Sequence, residues 1–116
     1  MSVVVSYKDL IVWQKAMSLV ILIYGLTEVF PKTEIYGLVS QMRRFAVSIP
    51  SNIAEGKMRG SRKDYRNFVL NAFGSGAELE TQLEICRRLK CVDEEKIIKI
   101  ENLLTENYEN VECYSP

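Results

Sequence analysis

Residues 48–56 read Ser-Ile-Pro-Ser-Asn-Ile-Ala-Glu-Gly. Two serines, a proline, an asparagine and a glycine, all poor helix-interior residues, sit inside what otherwise reads as a long amphipathic helix. Whether this stretch ends a helix or is carried within one decides how many rods the chain makes. If Pro50 ended the helix, the apolar spacing would lose phase there. Instead Ile35, Leu38, Met42, Phe45, Ile49, Ile53 and Gly56 step by threes and fours straight through it. A helix-interior proline costs about 3 kcal/mol and removes the donor for the carbonyl one turn back, here that of Ala46. Ser48, Ser51 and Asn52 carry side chains suited to re-satisfying a loosened backbone. The spacing therefore predicts one helix over 34–57, kinked at Pro50.

Working outward, the same test predicts three more helices. Leu10, Trp13, Met17, Val20, Tyr24 and Thr27 form a stripe over 9–29, with Asp9 as N-cap and Pro31 closing the segment. Tyr65, Val69, Ala72, Gly76, Leu79, Leu83 and Cys86 form another over 62–89, unbroken by Gly74-Ser75-Gly76, with Ser61 and Asp64 spaced like a capping box. Ile97, Ile100, Leu104, Tyr108 and Val111 mark a fourth over 93–111, with Asp93, Glu94 and Glu95 in the first turn, where the helix dipole favours acids. Four such segments on short connections predict an all-α fold: an antiparallel up-down four-helix bundle, one domain over 1–116. Folding helices 2 and 3 about Gly60 is expected to set bulky Phe45 opposite the small patch Gly74-Ser75-Gly76. Helix 1 also carries Ile11, Val12, Leu19, Ile21, Leu22, Ile23 and Leu26, more apolar surface than one buried stripe needs. Burial of the surplus in a homo-oligomer is the expectation.

Composition narrows the function classes. A chain of 116 residues with 47% hydrophobic and 26% charged residues is one globular domain rather than a disordered segment. The apolar run from Ala16 to Leu26, interrupted by Ser18 and Gly25, falls short of the roughly 20 residues that cross a bilayer, so no membrane partner is expected. MSVVVSYKDL has no basic n-region followed by an apolar stretch and a cleavage site, so no secretion signal is expected. Cys86, Cys91 and Cys113 show no Cys-x-x-Cys spacing, which suits reduced thiols and a cytoplasmic location. With no histidine in the chain, His-activated nucleophiles, Glu-x-x-His di-iron sites and most zinc sites are excluded. Glu78, Glu80 and Glu84 invite comparison with magnesium-binding carboxylates, but positions 78 and 80 lie about 200° apart around a helix. The expectation is no enzyme, no metal and no cofactor.

The charge is uneven although it sums to zero. Residues 41–66 hold seven cations against two acids, and residues 91–116 hold two cations against seven acids. Lys57, Arg59, Arg62, Lys63 and Arg66 surround the predicted helix 2–3 turn with Tyr65 among them, a candidate nucleic-acid site in which cations hold phosphates and the ring stacks a base. The competing reading is an ordinary charged loop. Arg43 and Arg44 are adjacent, so at least one of them is expected on the bundle flank, paired with an acid such as Glu78 or Glu80 of a neighbouring helix or subunit.

The segments KDLIVWQKA (8–16), FPKTEIYGLVSQMRR (30–44), SIPSNIAEG (48–56) and GSGAELETQLEICRRL (74–89) together resemble the four-helix-bundle proteins encoded in intervening sequences of bacterial 23S rRNA genes. That family is related to the accessory variability determinant proteins of diversity-generating retroelements. The resemblance covers about residues 8–92 and includes Trp13, Pro31, Gln41, Arg43, Arg44, Ser48, Pro50, Asn52, Glu55, Gly56, Gly74, Ser75, Glu78 and Leu79. It implies a ring-like pentamer without enzymatic activity, in one branch binding a reverse transcriptase and nucleic acid, with Arg43, Arg44, Asn52, Glu55 and Glu78 as motif or interface residues. Two positions depart from the family pattern: Phe45 stands where alanine is usual, and Phe73 where arginine is common. The acidic tail after Val92 carries none of the motif. The expected function is a non-enzymatic oligomeric scaffold that binds RNA, DNA or a nucleic-acid-handling protein; the alternative is a structural module whose charges serve self-assembly.

Overall fold

The structure is a computed structural model that describes residues 6–109, the side chains of 34–36 excepted. Ile35 as a stripe residue, Val111, Glu112 and Cys113 therefore lie outside the described residues. Four α-helices account for most of the rest: α1 (Ile11–Thr27), α2 (Ser40–Met58), α3 (Arg62–Leu89) and α4 (Glu94–Glu109). No strand occurs among the described residues. A 3-10 turn, Tyr7–Asp9, leads into α1, and a 3-10 turn at Lys32–Glu34 followed by a π-helical stretch, Ile35–Val39, leads into α2. The bundle is a rod of 53 × 24 × 20 Å.

The quoted stretch does not end α2. The helix continues through Pro50, and Met42, Ala46, Ile49, Pro50, Ile53 and Gly56 are buried along it. Ser48 and Asn52 are employed, whereas Ser51 is exposed and its side chain makes no hydrogen bond among the described residues. Asn52 Nδ2 donates to the Ser48 carbonyl at 2.8 Å and to Ser48 Oγ at 2.9 Å. Ser48 Oγ in turn lies 2.8 Å from Ser75 Oγ on α3, so the segment is tied across the helix pair. On α3, Ser61 Oγ accepts from the Asp64 N–H at 3.1 Å and caps the first turn. Val69, Ala72, Gly76, Leu79, Leu83 and Cys86 are all buried, and Cys86 Sγ meets Met42 Sδ at 3.7 Å. Ile97, Ile100 and Leu104 bury the inner face of α4.

Three local expectations are corrected. Asp9 does not cap α1: it belongs to the preceding 3-10 turn, and Leu10 occupies the cap without a side-chain bond. The buried stripe of α1 is Val12, Ala16, Leu19, Ile23, Leu26 and Thr27, while Met17 and Tyr24 are exposed. From Ala16 to Thr27 the helix has no charged residue, so spacing alone does not mark its wet side. Phe45 is half-buried, and the pairings Ser48–Ser75 and Met42–Cys86 bracket its register beyond the glycine patch. Gly76 instead lies beneath the Tyr108 ring of α4.

Candidate functional site

The two ends of the rod treat their cations differently. The α2–α3 turn is made by Gly60, whose φ of +80° is open to glycine without strain, and by the Ser61 cap. Gly56 brings the helices together just before it. A Cβ there would lie 2.7 Å from Phe68 Cβ and 3.2 Å from the Tyr65 ring. On this frame the Lys57 ammonium stands 5.9 Å from the Tyr65 ring centroid, and the Arg59 guanidinium lies 5.1 Å from that of Phe68. Arg59 also donates to Glu55 Oε2 at 2.9 Å, and this hydrogen bond, followed by the carboxylate charge, raises its pKa. Arg62 and Lys63 are exposed and make no ion pair among the described residues; Arg66 is exposed one turn further along α3. Tyr65 is half-buried, with its ring against Gly56 on one side.

At the other end Arg87 is saturated. It donates to Glu94 at 2.7 Å, to Glu84 at 2.7 Å and to Glu101 at 2.6 Å, joining α3 to the first two turns of α4. The hydrogen bonds that Arg87 donates to Glu101, then to Glu84 and Glu94, push the guanidinium pKa up. Arg87 and then Arg88 hold the Glu84 carboxyl below its ordinary value of 4.5. At the far end of α4, over the middle of α3, Tyr108 donates to Glu80 at 2.8 Å, and burial followed by that bond pushes its hydroxyl pKa up. Glu80 and Glu84 are thus committed to neighbours, and no group of three or more potential ligands that could hold a metal ion occurs among the described residues.

The remaining motif residues scatter. Arg43 Nε donates to Thr27 Oγ1 at 2.8 Å and Nη2 to the Tyr24 carbonyl at 3.4 Å, with the guanidinium 4.5 Å from the Tyr24 ring centroid. It therefore closes the C-terminal turn of α1, where a cation complements the helix dipole. Within the chain it does not pair with Glu78 or Glu80. Arg44 and Glu78 are exposed and make no hydrogen bond or ion pair among the described residues. Asn52 serves the Ser48 backbone, and Glu55 serves Arg59.

The family model for the 23S rRNA-intervening sequence protein matches residues 8–111. The chain belongs to that family. A comparison with curated proteins finds no match.

Within this intervening-sequence protein the cations of the helix 2–3 turn are brought together, whereas Arg43, Arg44, Asn52, Glu55 and Glu78 do not form one site. Sequence reasoning missed Phe68, the ring under Arg59, and Lys96 and Lys99, which share a groove with α1. The last two carried a signal: they are the only cations on α4, three residues apart. No helix among the described residues is long and apolar enough to cross a membrane.

Proposed function

We propose that this chain is a non-enzymatic helical scaffold that works as an oligomer and binds RNA through the cationic turn between α2 and α3. The observation that carries the reading is that Arg62 and Lys63 stand exposed and unpaired beside Lys57 and Arg59, while Arg87 at the far end is spent on carboxylates. Unpaired cations on a rigid turn suit phosphates, which they hold without sequence preference. In this reading the helices alternate up and down, as the pairings Tyr24–Arg43, Gly56–Phe68, Arg87–Glu94 and Lys15–Glu106 support. The lost donor at Pro50 bends α2, and Asn52 steadies the strained turn. The family's relation to retroelement accessory proteins adds a pentameric ring and a reverse transcriptase as the partner that shares the nucleic acid, and the cysteine pattern suits a cytoplasmic setting.

The test is fluorescence anisotropy of a structured RNA at two salt concentrations. Affinity should fall with a logarithmic slope of roughly −0.7 to −0.9 per phosphate neutralised, and replacing Arg59, Arg62 and Lys63 with glutamate should weaken binding on the order of 100-fold at low salt. Undetectable binding at low salt, or an unchanged affinity in the triple variant, overturns the proposal. A purely structural module is the second reading, favoured by the zero net charge and the exposed apolar residues of α1. There, RNA has no effect and high salt loosens the oligomer.

A further inference from the structure

Glycine inside a helix weakens it relative to alanine, so each one asks for a reason. Gly56 and Gly76 have theirs within the fold: a Cβ on the first would press on Phe68 Cβ, and on the second it would run into the Tyr108 hydroxyl. Gly25 in α1 and Gly74 in α3 have none. Both are exposed, and a Cβ at either would meet no atom within 4 Å.

Each of these two glycines lies in a surface that looks unfinished. Gly25 lines an open groove of about 350 Å³ between α1 and α4, with Ile21, Leu22 and Ile100 as apolar walls and Lys96 and Lys99 along it. Ile21 is 67% exposed there, and neither lysine has an ion pair among the described residues. Gly74 lies on the outer face of α3, in a second stripe at helical spacing: Leu70, Gly74, Glu78, Thr81, Ile85 and Leu89, all exposed. Leu89 is 60% exposed, and Glu78 has no partner among the described residues. The groove carries two unpaired cations, and the stripe carries an unpaired carboxylate at its middle, with Arg66 beside Leu70 at one end and Arg88 beside Ile85 at the other.

We infer that the α1–α4 groove of one copy receives the outer stripe of α3 from a second copy, with Gly25 and Gly74 admitting close backbone approach and Lys96 and Lys99 meeting Glu78. This rests on the oligomeric reading above and names its contact. Charge selects the pairing. The groove against itself would set lysine on lysine, and the stripe against itself would set Glu78 on Glu78. Because the two patches differ, the contact is head-to-tail: one copy keeps its stripe free and the other its groove, so further neighbours can be added until the chain closes.

The experiment is light scattering and sedimentation of the full chain across a concentration series, with circular dichroism as the check on folding. Wild type should give a multiple of 13.3 kDa. Gly25→Trp and Gly74→Trp, whose side chains enter open space, should keep helix content and melting temperature while raising the dissociation constant by at least about tenfold. Lys96→Glu with Lys99→Glu should weaken assembly similarly, and adding Glu78→Lys to the same chain should restore it. If wild type is oligomeric but both tryptophan variants keep its mass, or the charge swap rescues nothing, this interface is wrong and the oligomeric reading stands. A 13.3 kDa particle at every concentration overturns both.

Discussion

At the α3–α4 end of the rod, one guanidinium holds three carboxylates from two helices, and the turn between them passes through a lysine in the left-handed region. At the α2–α3 end the helices are held by close backbone approach at Gly56, the left-handed residue is a glycine, and Arg62 and Lys63 are left to solvent. Ion pairing closes one end and steric fit the other. An end closed by steric fit has cations to spare. At the end closed by charge Arg87 is spent, because each carboxylate that fixes the turn also cancels that guanidinium as an anion site. That difference gives the rod a polarity that the zero net charge conceals.

The largest effect should come from breaking the steric end. Gly56→Ala puts a methyl 2.7 Å from Phe68 Cβ, an atom that moves only with its backbone. The helices must separate, at about 1–3 kcal/mol by urea denaturation. Gly76→Ala is the informative contrast. It meets the Tyr108 hydroxyl, the far end of a side chain that can swing away by giving up its bond to Glu80. Equal losses in the two variants would mean that backbone approach is not what fixes the α2–α3 end.

The α2–α3 pair was the most legible part of the sequence. Its irregular spots, Pro50 and Gly74-Ser75-Gly76, sit in stripes whose polar flanks keep phase, and Met42, Ile49, Ile53, Leu79 and Leu83 are buried where the spacing put them. Helix α1 was misread by about one residue, because a helix apolar on every side has no wet face to set the phase. The cationic cluster was visible as a run of residue types. Its condition was not: whether an arginine is free depends on which carboxylates the fold brings near it. Glu101 reaches Arg87 from 14 residues away, and Glu55 reaches Arg59 from 4. Arg43 shows the same limit, since its partners are a hydroxyl and a carbonyl on α1 that no charge pattern marks.

Removing the clamp should have a smaller and pH-dependent effect. In wild type the depressed carboxyl of Glu84 contributes stability that is present above its ordinary value of 4.5 and is lost as pH falls below that through the folded value. Arg87→Met leaves Glu84 with Arg88 alone and sets Glu94 and Glu101 beside it without a counter-charge. The melting temperature should fall at pH 7. The gap between variant and wild type should narrow on acidification, because protonation relieves the repulsion in one and dissolves the clamp in the other. A gap that stays constant from pH 7 to pH 4 would mean that Arg87 acts by packing its stem and not by charge.

The smallest effect lies in the turns. Lys90 holds φ 57° and ψ 39° at the end of α3, where its N–H caps the last carbonyls. A left-handed conformation costs a residue with a Cβ about 1–2 kcal/mol, partly offset by the lower unfolded-state entropy that such a residue has relative to glycine. Lys90→Gly should therefore stabilise the protein by roughly 0.5–1 kcal/mol. Gly60→Ala, at φ +80° with open space around it, should destabilise by about 1 kcal/mol for the same reason read backwards. Because no atom lies within 4 Å of the new methyl at position 60, any loss there reports backbone strain alone. RNA affinity should follow Gly60→Ala and ignore Lys90→Gly if the cations of the α2–α3 turn depend on its geometry. An affinity that ignores both substitutions would make the cluster a matter of charge density, with no role for the fixed turn.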